Sequence, residues 1–200
     1  MIIDNKYSNN EVVGESKREV GVCAVDFFGE GNKFIIGQGA TLKNFRAVFR
    51  GKNGVIEVGA NTQIVGQLIV GGDCKISIGE GTRFNKPCRI FADEGCSIKI
   101  GRDCLFANVR FRTSDSHSVI DLESGRRINP ARNIVIEDHV WLAEDVYVYK
   151  GVVVGADSVV GARSTVTRSI PPNSVALGTP AKRVRAGVTW KVERVPTEFD

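Results

Sequence analysis

The sequence predicts an all-β fold, a parallel β-helix in which the chain winds round a prism and each side of the prism is one short strand. Three observations carry that prediction. An aliphatic residue returns at every sixth position from Ile136 through Leu142, Val148, Val154 and Val160 to Val166. Six is neither the 3.6 of a helix nor the plain alternation of a single sheet, and it matches a coil whose sides each take one hexad. Glycine follows the aliphatic in phase at Ile36-Gly37, Val58-Gly59, Val70-Gly71, Ile78-Gly79, Ile100-Gly101, Val154-Gly155 and Val160-Gly161, as expected of corners whose backbone angles cost glycine least. The fifth hexad position holds small residues: Ala40, Thr62, Cys74, Thr82, Cys88, Cys104, Ser158 and Ser164.

The elements follow in order. Residues 1–35 precede the first clean repeat and either add a first coil or extend a contact between subunits. The repeat runs over 36–170, with Ile36, Leu42 and Val48 marking one coil, Val58, Ile64 and Val70 the next, then Ile78, Phe84 and Ile90, then Ile100 and Phe106. Three hexads close a turn of about 18 residues, so successive turns stack at the ~4.8 Å of paired strands. From Val48 to Val58 and from Ile90 to Ile100 the step is ten residues, and the turn-formers Gly51-Lys52-Asn53-Gly54 and Asp93-Glu94-Gly95 make these excesses small corner bulges. One interruption is larger: the loop 112–133 separates Phe111 from the restored repeat at Ile134, and a loop of that length in a compact repeat is usually functional. Ser169-Ile-Pro-Pro is expected to end the coil, because proline cannot continue a ladder. In the C-terminal segment 171–200, Ala181 to Val195 is expected to form a strand and a short helix. The chain reads as one domain, 1–200.

Bulk properties narrow the function. A chain of 200 residues with 42% hydrophobic and 25% charged content is an ordinary globular domain. No apolar run approaches the ~20 residues of a membrane span, and MIIDNKYSNNEVVGES has polar residues where a signal peptide is apolar, so a cytoplasmic protein without membrane insertion is expected. Five cysteines form no CxxC pair, which suggests neither a zinc site nor a disulfide framework. Cys74, Cys88 and Cys104 read instead as small inward fillers. The net charge of +4 equals that of residues 180–195 alone, where Lys182, Arg183, Arg185, Lys191 and Arg194 face only Glu193. No nucleic-acid-binding motif appears, so nucleic acid is not an expected partner. A compact polyanion suits the basic segment better.

Beyond the repeat, Pro172-Asn-Ser-Val-Ala-Leu-Gly-Thr-Pro-Ala-Lys-Arg-Val-Arg resembles the terminal Gly-x-Pro-Ala-Lys signature of the left-handed β-helix, or hexapeptide-repeat, acyltransferases. The resemblance covers roughly 36–185. It implies the left-handed winding, an exception to the general right-handed preference, together with a homotrimer and acetyl-CoA in the cleft between neighbouring prisms. Ser114-Asp-Ser-His-Ser followed by Asp138-His-Val-Trp-Leu is most similar to the enzymes that O-acetylate bacterial surface polysaccharides, polysialic acid capsules among them. In those enzymes a loop histidine pairs with a tryptophan one coil later, here His117 and Trp141.

The residue types agree with that chemistry. A sugar hydroxyl must lose its proton as it attacks a thioester, and neutral imidazole titrates in the right range to take it. His117 is therefore the expected base, with Asp115 or another loop carboxylate as a candidate to orient its ring. His139, at the fourth position of its hexad, is expected to point outward in a structural or solvated role. Trp141 is too large for the prism interior and is expected in a subunit cleft, against the acceptor or the pantetheine arm, with its N–H as a donor. Backbone amides near Trp141 and Ala143 are candidates for an oxyanion hole. Lys182 and Arg183, and more weakly Arg163, suit the CoA phosphates, and the resemblance places Ala162 and Thr179 beside the pantetheine. The carbohydrate acceptor itself is not specified. The alternatives are N-acetylation of an amino sugar nucleotide, though no GxGxxG appears in the ~35 residues before the repeat, acetylation of a small antibiotic, and a non-catalytic scaffold. A metal-dependent hydrase needs three histidine ligands, and the chain has two histidines.

Overall fold

The aliphatic residues of the repeat point inward, and Ile36, Val58, Ile78, Ile100, Ile136 and Val154 stack in one buried column; the exception is Val48, which strand alternation places outward between the inward Ala47 and Phe49, in register with Ile69 and Phe91. The computed structural model describes residues 1–196. Three faces form the prism. The first is a seven-stranded parallel sheet of Glu11–Val13, Lys33–Ile36, Val55–Val58, Lys75–Ile78, Ser97–Ile100, Ile134–Ile136 and Val153–Val154. The other two belong to one bent fifteen-stranded sheet, because Thr41–Phe49 and Gln63–Val70 run through the corner between them. The second face continues through Arg83–Phe84, Leu105–Ala107, Trp141–Glu144, Val159–Val160 and Ser174–Gly178, and the third through Cys88–Ala92, Arg110–Arg112, Tyr147–Tyr149 and Thr165–Val166. Along the first face each residue pairs with one 22, 20, 22, 36 and finally 18 positions later. The 18-residue turn expected from the sequence thus holds for the coil that follows the loop; longer corners and the loop lengthen the earlier turns, and the last, from Val159 to Val175, takes 16.

The core is not purely apolar. Hydroxyls and a thiol at the fifth hexad position form a vertical ladder to the coil above: Thr62 donates to the carbonyl of Gly79 at 3.2 Å, Thr82 to Gly101 at 2.8 Å, Cys104 to Glu137 at 3.2 Å and Ser158 to Pro171 at 3.0 Å. Corner carbonyls cannot join the strand ladders, so these side chains satisfy them. Cys74, Cys88 and Cys104 are buried, and burial pushes the thiols of Cys88 and Cys104 up to about 12. They are inert packing groups.

The glycines in phase with the aliphatics have a different cause from the one expected. None of the seven has a positive φ. A Cβ on Gly37 would sit 2.4 Å from the backbone nitrogen of Ala60, one on Gly79 2.5 Å from the carbonyl carbon of Gly101, and one on Gly155 2.3 Å from the nitrogen of Pro172. Close stacking of the coils demands these glycines. The left-handed angles fall two residues after each of the seven, at Gly39, Asn61, Asp73, Gly81, Asp103, Asp157 and Arg163. Asn and Asp tolerate that region best among side-chain-bearing residues.

At the N-terminal end the first of the two expected alternatives holds, while the C-terminal end departs from expectation. Residues 1–35 form a first coil: Ile2–Asn5 pairs with Ala24–Phe27, Glu11–Val13 with Lys33–Ile36, and Arg18–Val20 with Thr41–Lys43. Nor do Pro171 and Pro172 end the winding, since Ser174–Gly178 pairs in parallel with Val159–Val160 beyond them. The prolines occupy a corner whose flanking amides carry the ladder, Ile170 N–H to Val153 at 2.9 Å and Asn173 N–H to Ala156 at 2.8 Å. Ala181–Ala186 then folds back antiparallel on Ser174–Gly178 and covers that edge. The short helix expected before Val195 is absent among the described residues. Instead Gly187, at φ 70°, turns the chain and Trp190 docks back on the prism. Residues 197–200 of the C-terminal segment lie outside the described residues.

The long loop leaves the end of the third face and rejoins the first. Its tip is a small hairpin bridged at Ile120 and Arg127, and its base is tied to the coils. Arg127 makes a bidentate pair with Glu94 at 2.7 and 2.9 Å, Ser114 donates to the same carboxylate, and Lys150 pairs with Asp115. The Arg127 guanidinium, and after it the Ser114 hydroxyl, hold the Glu94 carboxyl down to about 2.

Two outcomes follow from the packing. Gly79→Ala is expected to destabilise the protein by about 1–3 kcal/mol in urea titration, because rigid backbone must move. Gly72→Ala, whose added Cβ meets nothing closer than 3.6 Å, should be neutral or stabilising by up to ~1 kcal/mol. The Glu94 anchor is lowered from its ordinary 4.5, so its contribution is complete above that pH and disappears as pH falls through the range toward 2. Limited proteolysis should therefore cut the loop faster in acid, and Glu94→Gln should show that sensitivity already at pH 7.

Candidate active site

His117 sits on the corner between the third and first faces, held by its backbone. The Asn129 amide donates to the His117 carbonyl at 2.8 Å and to Asp115 at 2.8 Å, and the Lys150 ammonium donates to the Asn129 carbonyl at 3.1 Å. The imidazole is exposed, and no hydrogen bond to it is made among the described residues. Asp115, the carboxylate expected to orient the ring, is instead committed to Lys150 and Asn129, and chiefly the Lys150 ammonium lowers its pKa. It positions the loop and leaves the ring free.

Trp141 lies on the second face, paired with Leu105 and Val159 and 38% exposed. Outward exposure of the indole is as expected, but the loop histidine and the tryptophan occupy different sides of the prism within one chain. The amide of Trp141 donates to Ser158 at 2.9 Å and belongs to the ladder, which removes it as an oxyanion donor. Ala143 stands where the register shifts, Phe106 facing Leu142 and Ala107 facing Glu144.

The remaining candidates gather at one edge. The corner after the second face carries Ala162 and Arg163, the latter left-handed at φ 58° with its amide donating to Glu144 at 2.8 Å. Thr179 lies above this corner, its hydroxyl 3.4 Å from the Arg163 carbonyl. Lys182 and Arg183 pair with Leu177 and Ala176 on the neighbouring strand. Ala143, Ala162, Arg163, Thr179, Lys182 and Arg183 thus line consecutive levels of one edge, with Trp141 on the adjoining face and His117 apart from all of them.

One constellation beside Trp141 was not anticipated. The His139 ring stacks on Trp190 with centroids 4.5 Å apart and planes 9° apart, and Trp141 lies 6.0 Å from the same indole. The Trp190 N–H donates to the His139 carbonyl at 2.8 Å, while His139 Nδ1 is 2.8 Å from Asp157, which also accepts from Thr189 at 3.0 Å. Asp157 was discoverable, because it repeats the hexad position of His139 one 18-residue turn later and so stacks above it. The docking of Trp190 carried no periodic signal. His139 is therefore held between a carboxylate and an indole, a structural placement beside the exposed face.

Comparison with known proteins agrees with this architecture. The family described as "Bacterial transferase hexapeptide (six repeats)" matches residues 133–168. The chain is 35% identical over 136 residues to the polysialic acid O-acetyltransferase of Escherichia coli O1:K1 / APEC, covering 68% of this chain and 44% of that one. A second polysialic acid O-acetyltransferase, from Neisseria meningitidis, is 30% identical over 125 residues and matched over 58% of its length. The chain thus spans about half the length of the curated relatives it matches. Among solved structures, the polySia-specific acetyltransferase NeuO superposes with a TM-score of 0.89 at 33% identity, over 96% of this chain and 88% of that one. The polysialic acid O-acetyltransferase OatWY gives 0.92 at 26% identity, over 99% and 95%. On the coil geometry, the repeat and these similarities together, the chain belongs to the hexapeptide-repeat, left-handed β-helix acyltransferase family.

Proposed function

We propose that the protein is an O-acetyltransferase that moves an acetyl group from acetyl-CoA to a hydroxyl of a bacterial surface polysaccharide or its sugar precursor. The observation that carries this reading is the extruded loop: Asn129, Lys150, Asp115, Arg127 and Glu94 lock its base, yet the imidazole of His117 stays unengaged. Such a pre-positioned free base is what a hydroxyl acceptor requires. The named activities of the polysialic acid O-acetyltransferases support the same reading. The five free cysteines fit a reducing, cytoplasmic location, where acetyl-CoA is available.

His117 takes the proton of the acceptor hydroxyl as its oxygen attacks the thioester carbonyl. The tetrahedral centre carries an oxyanion, for which the exposed Trp141 indole N–H is a donor. As the centre collapses, the carbon–sulfur bond breaks and the imidazolium returns its proton to the departing thiolate. Transfer is direct, within a ternary complex. Lys182 and Arg183, with Arg163, hold the CoA phosphates, and Ala143, Ala162 and Thr179 leave a low wall along which the pantetheine reaches Trp141.

His117 and Trp141 belong to different sides of one prism, so the site is completed between copies. A homotrimer closes three such sites, the loop of each subunit facing the tryptophan edge of the next. His117→Ala should lower turnover by ~10²–10⁴-fold while acetyl-CoA affinity, read by calorimetry, stays unchanged. A dead His139→Ala beside an active His117→Ala would reverse the assignment. Refolding His117→Ala and Trp141→Ala chains together in equal amounts should restore about a quarter of the sites, since a mixed interface can hold both native residues. No recovery would place the site within a single chain. Mass spectrometry of glycans incubated with acetyl-CoA and enzyme tests the reaction itself, which gives a mass increase of one acetyl group.

A further inference from the structure

On the third face, outside the edge assigned to acetyl-CoA, two rows of outward side chains run across the strands at ladder spacing. In one row Arg89 faces Arg110, which faces Tyr147. In the other Phe91 faces Arg112, which faces Tyr149. Between them lies a cavity of about 280 Å³, to which Arg50 is added from a lower coil. We infer that this groove binds a carboxylate-bearing stretch of the acceptor glycan and so selects acidic over neutral polysaccharides. The inference rests on the acetyltransferase reading above.

Charge is the first argument. Arg50, Arg89, Arg110 and Arg112 all line the groove, and no carboxylate does. Elsewhere on the prism Arg46 pairs with Asp26, Arg102 with Asp138 and Arg127 with Glu94. None of the four groove arginines forms an ion pair among the described residues; Arg112 donates only to the Ser116 hydroxyl. Two guanidinium stems directly opposite on neighbouring strands, as Arg89 and Arg110 are, repel each other. An anion lying between them removes that cost.

Aromatic surface is the second. The guanidiniums of Arg50 and Arg112 lie 5.4 and 5.6 Å from the centre of the Phe91 ring, and that of Arg110 lies 5.3 Å from the centre of Tyr147. These stacks hold the planar forks in place, which lowers the entropy lost when they grip a carboxylate in bidentate fashion. Tyr149, 38% exposed and carrying no such stack, offers its ring to the C–H face of a sugar. Charges interleaved with aromatics across three strands, roughly 10 Å at the strand spacing, suit a chain with repeated carboxylates better than one compact diphosphate.

Position is the third. Ser116 forms part of the groove wall and immediately precedes His117 in the loop. A glycan held by the arginines therefore lies beside the base that is to deprotonate its hydroxyl.

The test uses the full chain, with an α2,8-linked oligosialic acid as the acidic probe and a dextran oligomer of equal length as the neutral one. Arg89 and Arg110 are surface residues, so the double variant Arg89→Ala/Arg110→Ala should fold as the wild type does, and circular dichroism checks this. The expected result is at least tenfold weaker binding of oligosialic acid by the variant, unchanged binding of acetyl-CoA, and wild-type affinity for the acidic probe that falls with salt. Equal binding by variant and wild type, equal binding of both probes, or no binding of the acidic probe overturns the groove. So does weakened CoA binding, or displacement of oligosialic acid by 3′,5′-ADP, which would assign the arginines to nucleotide phosphates. Acetyl transfer is read separately. Arginine-dependent binding without any transfer would sink the acetyltransferase reading and leave the groove standing.

Discussion

The whole molecule depends on how closely one coil sits on the next. Paired strands fix the separation at ~4.8 Å, and at the corners the backbones come nearer still. Gly79 and Gly101 approach so closely that a single Cβ on Gly79 would lie 2.5 Å from its neighbour's carbonyl. That contact dictates the glycine at the corner, and the corner in turn orphans a carbonyl that no strand can reach. Thr62, Thr82, Cys104 and Ser158 answer it from inside the core. A left-handed residue two positions after the glycine then turns the chain onto the next face. Spacing, glycine, hydroxyl and left-handed residue are consequences of a single stacking distance.

The same constraint decides where chemistry can be placed. A strand in the middle of a face has neighbours above and below, so an insertion there would break two ladders. A corner loses little. The 20-odd-residue loop accordingly leaves at the corner between the third and first faces, and its base is tied by ion pairs to Glu94 and Lys150 on adjacent coils. The rigid ladder supplies fixed anchor points, and through them the loop holds the backbone of His117. Outward residues on the faces repeat at the coil spacing as well, which is why Arg89, Arg110 and Tyr147 fall into a straight row without any local contact to arrange them.

Legibility in the sequence followed periodicity. The core aliphatics, the small fifth position and the loop were readable because each either obeys or breaks a fixed period. The glycines were found for the same reason but explained by the wrong property, since phase alone does not distinguish a steric demand from a dihedral one. Residues 1–35 were left open because Val25 and Phe27, though buried, precede any regular run of hexads. The prolines misled because a rule for strands was applied to a corner. Trp190 lies 51 residues from the carbonyl that its N–H contacts, a contact that depends on the turn at Gly187 and on no repeat. The arginine groove was hidden by summation: basic and acidic residues of the body nearly cancel, while Arg50, Arg89, Arg110 and Arg112 gather on one face.

In the proposed mechanism His117 and Trp141 lie on two sides of the prism, and that placement links activity to assembly. The strand ladders of the described residues close within one chain, so the coil borrows no strand from a partner. The site does require a partner, if His117 and Trp141 act together, because their faces diverge within one chain. Binding energy between subunits then sets the fraction of complete sites at low concentration. The groove on the third face belongs to one chain and needs no such partner, so acceptor binding and acetyl transfer should respond differently to dilution. On the proposed reading, glycan capture belongs to the surface of one chain and transfer to the assembly. That separation is built in once the loop leaves from one corner and the cofactor edge occupies another.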